Sequence, residues 1–261
     1  MAKFTNNEIE FHYEVRGEGR PLVFLHGLGG DMEQPKKLFD EINGVKFIFV
    51  DQRFHGKTKQ ADNSSVSFDE MTNDIVALMK HLGYKTFSVG GISMGAAVAT
   101  NLTIRYPQLV EKLILIRIAW ENRPMDEQVK EWYKVVSEYL KYNNRDAFIQ
   151  TNTFETIKKV APKTAETFMK LFEDPSSVKY YKKYQDIPNQ QPFYEREDLK
   201  QIKTETLILS NHKDYIHKYE YGLTYQSLIQ NVEFHEITSK EDSENKHREE
   251  VNDYVTKFIN N

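Results

Sequence analysis

Apolar residues along this chain collect in short, almost continuous runs separated by longer amphipathic stretches. The runs are PLVFLHG (21–27), KFIFVD (46–51), TFSVGG (86–91), KLILI (112–116), TLILS (206–210) and VEFHEI (232–237). Strands that are apolar on both faces belong in a parallel sheet covered by helices. The intervening stretches supply such helices. Over 68–82, Met71, Ile75, Leu78, Met79 and Leu82 recur at helical spacing, and 96–106 and a terminal segment with Val251, Tyr254, Val255, Phe258 and Ile259 read the same way. This alternation predicts an α/β fold with a mostly parallel central sheet flanked by helices. The start of the chain differs. Residues 8–15 alternate as a half-buried strand does, and Asn6-Asn7 predicts a hairpin turn, so the first strands are expected to be antiparallel.

The alternation breaks between Trp120 and Asp198. Segments 126–142 and 163–172 read as helices with no core strand between them. The expectation is a helical cap (120–198) inserted into a core domain formed by 1–119 and 199–261. The cap is rich in Tyr and Phe, including Tyr133, Phe168 and Tyr184. Most of these rings are expected to pack the cap's own core, and some to wall a pocket.

Composition narrows the chemistry. The 261 residues are 39% hydrophobic, enough for a substantial core, and contain no cysteine, which excludes disulfides, thiolate metal sites and a cysteine nucleophile. The 35 basic and 39 acidic residues are scattered, so no phosphate-tracking surface, and hence no nucleic-acid partner, is expected. The opening MAKFTNNEIE has no apolar stretch of signal-peptide length, and nothing downstream approaches the ~20 apolar residues of a membrane span. A cytoplasmic protein is expected.

The strongest chemical signal is Gly91-Ile92-Ser93-Met94-Gly95, which follows an apolar strand and opens a helix-compatible run. A serine on such a sharp turn sits in a strained backbone conformation, with glycines where a β-carbon would collide. Its hydroxyl needs a base, and the base needs an orienting group. His247, between the last strand and the terminal helix, is the first candidate base; His212 and His217 compete with it, while His235 fits a strand pattern. Asp214, just past TLILS, is the candidate acid, with Glu121 as the alternative. The loop His26-Gly27-Leu28-Gly29-Gly30 supplies an oxyanion site, with the N–H groups of Leu28 and Met94 as donors.

LHGLGG, DQRFHGKT, GISMG, the aspartate after TLILS and the late histidine together resemble the α/β-hydrolase superfamily over nearly the whole chain. The likeness is to its small bacterial esterases, lactonases, haloperoxidase-like enzymes and carbon–carbon bond hydrolases with a helical lid between the sixth and seventh strands. The resemblance implies a triad of Ser93, Asp214 and His247. Phe54 stands where the family usually has glycine after strand four, which implies a reshaped loop with Phe54, near His26, at the pocket. Lys246 replaces the glycine common before the histidine. Aspartate-nucleophile relatives are disfavoured by Ser93, and Met94 replaces the tryptophan usual in proline iminopeptidases.

The resemblance thus implies a serine hydrolase acting on a small carboxylic ester or lactone. A slow-turnover ligand sensor, a partner-binding protein or a carbon–carbon bond hydrolase on the same fold are the alternatives. A histidine base implies activity lost as pH falls through roughly 6 to 7. No nucleotide cofactor is expected, because Asp51 stands where a phosphate-loop glycine belongs ahead of Gly56-Lys57-Thr58 and Met32 where a dinucleotide fingerprint ends. His212 and His217 lack zinc-motif spacing, so no metal is expected. Arg117, continuing KLILI, is a candidate for binding a substrate carboxylate or for pairing with an acidic neighbour.

Overall fold

A computed structural model describes residues 1–60 and 66–261. A hairpin of β1 (Ala2–Asn6) and β2 (Ile9–Arg16) opens the fold. Its two-residue loop is Asn7-Glu8, both with positive φ, one position beyond the expected Asn6-Asn7. Then follow β3 (Arg20–Leu25), α1 (Glu33–Leu38), β4 (Val45–Val50), α2 (Phe68–His81), β5 (Phe87–Ile92), α3 (Met94–Arg105) and β6 (Val110–Ile116). Six helices lie next: α4 (Glu127–Leu140), α5 (Arg145–Phe148), α6 (Asn152–Val160), α7 (Pro162–Leu171), α8 (Pro175–Lys179) and α9 (Lys183–Asp186). The chain re-enters the sheet through β7 (Glu205–Ser210), α10 (Tyr219–Leu228), β8 (Val232–Glu236) and α11 (Glu244–Asn260).

The eight strands run in the order β1-β2-β4-β3-β5-β6-β7-β8, antiparallel at β1/β2 and β2/β4 and parallel elsewhere. Within the continuous apolar runs a period of two still operates. Val23, Leu25, Val89, Leu113 and Leu115 face α2 and α3. Leu22, Phe24, Phe47, Phe49, Ile114 and Ile116 face the side covered by Val251, Val255, Phe258 and Ile259 of α11. The α2 stripe of Phe68, Met71, Ile75, Leu78 and Met79 is buried as its spacing requires, and Ser67 accepts from the Glu70 N–H at 3.2 Å to cap it. In α3, residues 94–103 are all buried, which their small side chains permit against both sheet and neighbours.

From β3 the chain passes to β4 on one side and then, through α2, crosses to β5 on the other side of β3. A crevice therefore opens at the carboxyl ends of β3 and β5, where the loops after them diverge. The helical insertion between β6 and β7 lies over that end: Leu171 and the Tyr184 hydroxyl approach Gly29 so closely that a β-carbon there would come within 2.8 and 3.0 Å of them. Lys183 Nζ donates to the Phe54 carbonyl at 2.8 Å, and Tyr180 donates to the Gln60 carbonyl at 3.3 Å. No helix among the described residues is long and apolar enough to cross a membrane.

Ile114 is fully buried at the sheet centre. Ile114→Ala is expected to cost about 2–5 kcal/mol, read as a lower urea midpoint at unchanged slope.

Candidate active site

Ser93 joins β5 to α3 with φ 56° and ψ −113°, a conformation an L-residue keeps only when its surroundings enforce it. The enforcement is close backbone contact. A β-carbon on Gly91 would lie 2.2 Å from the Gly95 carbonyl carbon, and one on Gly95 would lie 2.3 Å from the Leu25 carbonyl oxygen. Both positions exclude every side chain. The Ser93 N–H donates to Ile116 O at 3.1 Å, fixing the turn to β6.

Beside it runs the loop after β3. Gly27 abuts the Ser93 side chain, with Cβ 3.4 Å from where a β-carbon of Gly27 would sit. The amides of this loop are nearly all spoken for. Gly27 N–H donates to Gln34 Oε1 (2.8 Å), Gly29 N–H to His55 Nε2 (3.3 Å) and Gly30 N–H to Gly27 O (3.0 Å). Among the described residues the Leu28 N–H has no protein acceptor, nor does the Met94 N–H at the start of α3.

Two buried imidazoles hold this loop to the loop after β4. His26 donates from Nδ1 to Gly27 O (2.9 Å) and accepts the Gln52 N–H on Nε2 (3.1 Å); His55 donates from Nδ1 to Arg53 O (2.8 Å) and accepts the Gly29 N–H. Each ring needs one protonated and one bare nitrogen, so both are neutral. Burial pushes the pKa of His26 down and that of His55 well down, the latter helped by the charge of Lys183. Neither lies on the wall of the Ser93 cavity. Phe54 is also absent from that wall: with φ +66° its ring turns to meet Tyr180 edge-on at 5.5 Å between centroids. His26 and Phe54, expected at the pocket, thus lie off the Ser93 cavity, and Phe54 lines a second cavity with Tyr180 and Lys183.

The cavity, about 480 Å³, is walled by Leu28, Ser93, Arg117, Asp214, His217 and His247, with Tyr133 and Phe168 from the insertion. His247 sits in the first turn of α11 and donates from Nδ1 to the Thr238 carbonyl at 2.8 Å. Glu250 accepts from both the Thr238 N–H (2.5 Å) and hydroxyl (3.1 Å), holding that segment in place. Asp214 takes other partners. It accepts from Arg117 Nε (3.0 Å) and an Arg117 terminal nitrogen (2.6 Å), and from the His217 N–H (3.1 Å) and Nδ1 (2.9 Å). The expected direct bond from Asp214 to His247 is replaced by the Thr238 carbonyl. The reason lies in Arg117, whose left-handed backbone (φ 53°) at the end of β6, tied by its N–H to Leu209 O, brings the guanidinium onto the carboxylate.

Electrostatics follow from this arrangement. Burial alone would raise the pKa of Asp214, but Arg117 and His217 hold it well below the usual carboxylate range. Burial, reinforced by Arg117 and Lys240, brings His247 down to about 4 against the pull of Thr238 and Asp214. Burial lowers His217 too, although Asp214 opposes it. Both rings keep Nδ1–H and leave Nε2 as the basic nitrogen. His212 stacks on Tyr219 outside the cavity, His235 stacks on Tyr254, and Glu121 is buried against Arg196 and Arg123. No cluster of three or more His, Asp or Glu among the described residues is arranged to hold a metal.

A family model for the alpha/beta hydrolase fold matches residues 20–237, and the chain belongs to that family. It is 26% identical over 265 residues to the AB hydrolase superfamily protein YisY of Bacillus subtilis, covering 98% of this chain and 97% of that one. Over 121 residues it is 32% identical to the sn-1-specific diacylglycerol lipase ABHD11 of Danio rerio, spanning 44% of this chain and only 38% of that protein. The enol-lactonase of Burkholderia xenovorans LB400 shares the fold at TM-score 0.75 and 18% identity, with both chains covered in full. The chain is thus a hydrolase-family protein of a small bacterial type.

Four histidines, His26, His55, His217 and His247, have pKa values below the ordinary 6.5. The unfolded chain takes up protons at these rings as pH drops below 6.5, while the folded chain does not. Their contribution to stability is therefore complete above pH 6.5 and lost progressively below it. The melting temperature by circular dichroism is expected to fall from pH 7.5 to 5.5, and by less in His55→Asn than in the parent.

Proposed function

We propose that this protein is a serine hydrolase that cleaves a small carboxylic ester or lactone through an acyl-enzyme on Ser93. The observation that carries the reading is the meeting, on one cavity wall, of a strained serine, a neutral histidine and Leu28 with its uncommitted N–H, while the uncommitted Met94 N–H follows Ser93 directly in the chain. Ser93 Oγ attacks the carbonyl carbon as Nε2 of His247 takes its proton. The oxyanion is held by the N–H groups of Leu28 and Met94. The tetrahedral species collapses to the acyl-enzyme, and the alcohol leaves with the proton from His247. Water then attacks, the same imidazole accepts its proton, and the carboxylic acid and free Ser93 result. Thr238 O orients the ring, and Asp214 stabilises the imidazolium through its charge rather than by contact. The ester-cleaving relative and the lactonase-like fold agree with this chemistry.

The bond between Asp214 and His217 favours a second reading, in which that pair serves as base. Turnover of p-nitrophenyl acetate and butyrate separates the cases. Ser93→Ala is expected to lose at least about 10³-fold in kcat, and His247→Gln to fall equally far while His217→Gln falls about tenfold or less. The reverse order for the histidines would transfer the base to His217; parent-like rates in Ser93→Ala would end the serine mechanism. Tight ligand binding without turnover would make the protein a sensor.

The charge around His247 also revises the expected pH range. The acid limb of kcat/KM should centre near pH 4 instead of between 6 and 7, and Arg117→Gln should move it upward by removing a cation that opposes protonation. Initial rates after a pH jump measure both. A limb near 6.5 in the parent, unmoved by Arg117→Gln, would contradict this assignment.

A further inference from the structure

Lys240 lies in the segment between β8 and α11, beside Ser239 on the wall of the Ser93 cavity. It shares that wall with His217 and His247, and its charge opposes the protonation of both. The acidic side chains on the wall are committed elsewhere. Asp214 is engaged by Arg117 and His217; Glu166 and Glu244 pair with Lys163 at 3.2 and 3.1 Å; Glu241 accepts from the Lys163 N–H at 3.1 Å. Among the cations, Lys213 pairs with Asp242 and Arg248 with Asp40, while Lys37 and Lys170 are exposed. Among the described residues Lys240 is the recessed wall cation with no ion pair or hydrogen bond of its own. Burial, with Arg117 nearby, brings its pKa down to about 8, which leaves it mostly charged at neutral pH.

Asp214 and Glu244 attract this ammonium but neither bonds to it, so a recessed cation is left with a direct anion contact still to be made. Beside Ser93 the Asp214 carboxylate bonds to Arg117 and His217, both imidazoles are neutral, and Lys240 is left without a direct contact. That ammonium is a single charge, which matches a monoanion better than a doubly charged phosphate. We propose that Lys240 is a specificity residue that binds a carboxylate carried by the substrate, so that the ester or lactone cleaved at Ser93 is an acidic one. The inference rests on the Ser93 reading for its turnover arm and deepens that reading to a substrate class. Arg117, the earlier candidate for this contact, is occupied by Asp214.

The test compares esters matched in length: monomethyl glutarate with methyl pentanoate, monomethyl adipate with methyl hexanoate, and 4-acetoxybutanoate with butyl acetate, followed by pH-stat at pH 7. The parent is expected to favour the anionic member of at least one pair by about tenfold or more in kcat/KM, mainly through KM. Lys240→Met should abolish that preference and Lys240→Arg should retain it, with circular dichroism verifying that each variant is folded. No preference in any pair, or a preference that survives Lys240→Met, would overturn the proposal. Binding is read separately by calorimetry in Ser93→Ala with the same anionic esters. There the heat should vanish when Lys240→Met is added; persistence of binding counts against Lys240. Should Ser93→Ala still turn over ester, the serine mechanism fails and the effect of Lys240→Met on the preference still decides the anion contact.

Discussion

The site depends on one steric constraint: nothing larger than hydrogen fits on the α-carbons of Gly91 and Gly95. Their approach lets α3 start directly against β5 and β3, and only that approach forces Ser93 into its left-handed turn. A residue so placed costs about 1–3 kcal/mol, which the buried strands on either side must offset. In return the serine is lifted clear of the sheet end. The same turn leaves the Met94 N–H without a strand partner and sets Ser93 against Gly27, so one contact positions the groups to which the proposed mechanism assigns attack and oxyanion binding.

A second constraint is electrical. Asp214, His217 and His247 are desolvated together on the cavity wall, and the arrangement resolves the conflict by keeping the imidazoles neutral and pairing Asp214 with Arg117. His247 is thereby less basic than a free histidine, since burial and the charges of Arg117 and Lys240 oppose its protonation. A weaker base is bare over a wider pH range but gains less from each proton it accepts.

The sheet was legible because its strands are apolar on both faces, and the elbow because glycine spacing and strand context coincide at Ser93. The helices α2 and α11 declared themselves by stripe, α3 by following the elbow, and α4 and α7 as helix-compatible segments with no core strand between them. Helices such as α5, α8 and α9, with 4, 5 and 4 residues, contain too few turns for periodicity to register. The partner of Asp214 was hidden for another reason. His217 is three residues away and His247 thirty-three, yet the choice between them turns on the backbone of Arg117, and no local pattern encodes a left-handed arginine.

The paired rings of His26 and His55 carry a geometrical consequence. Each gives one proton to a main-chain carbonyl and takes one from a main-chain amide, as a peptide group does in a ladder. They act as rungs that stand in for peptides where β3 and β4 have ceased to pair. The two segments are thereby fastened to each other beyond the last strand pairing, by side chains that lie off the wall of the Ser93 cavity.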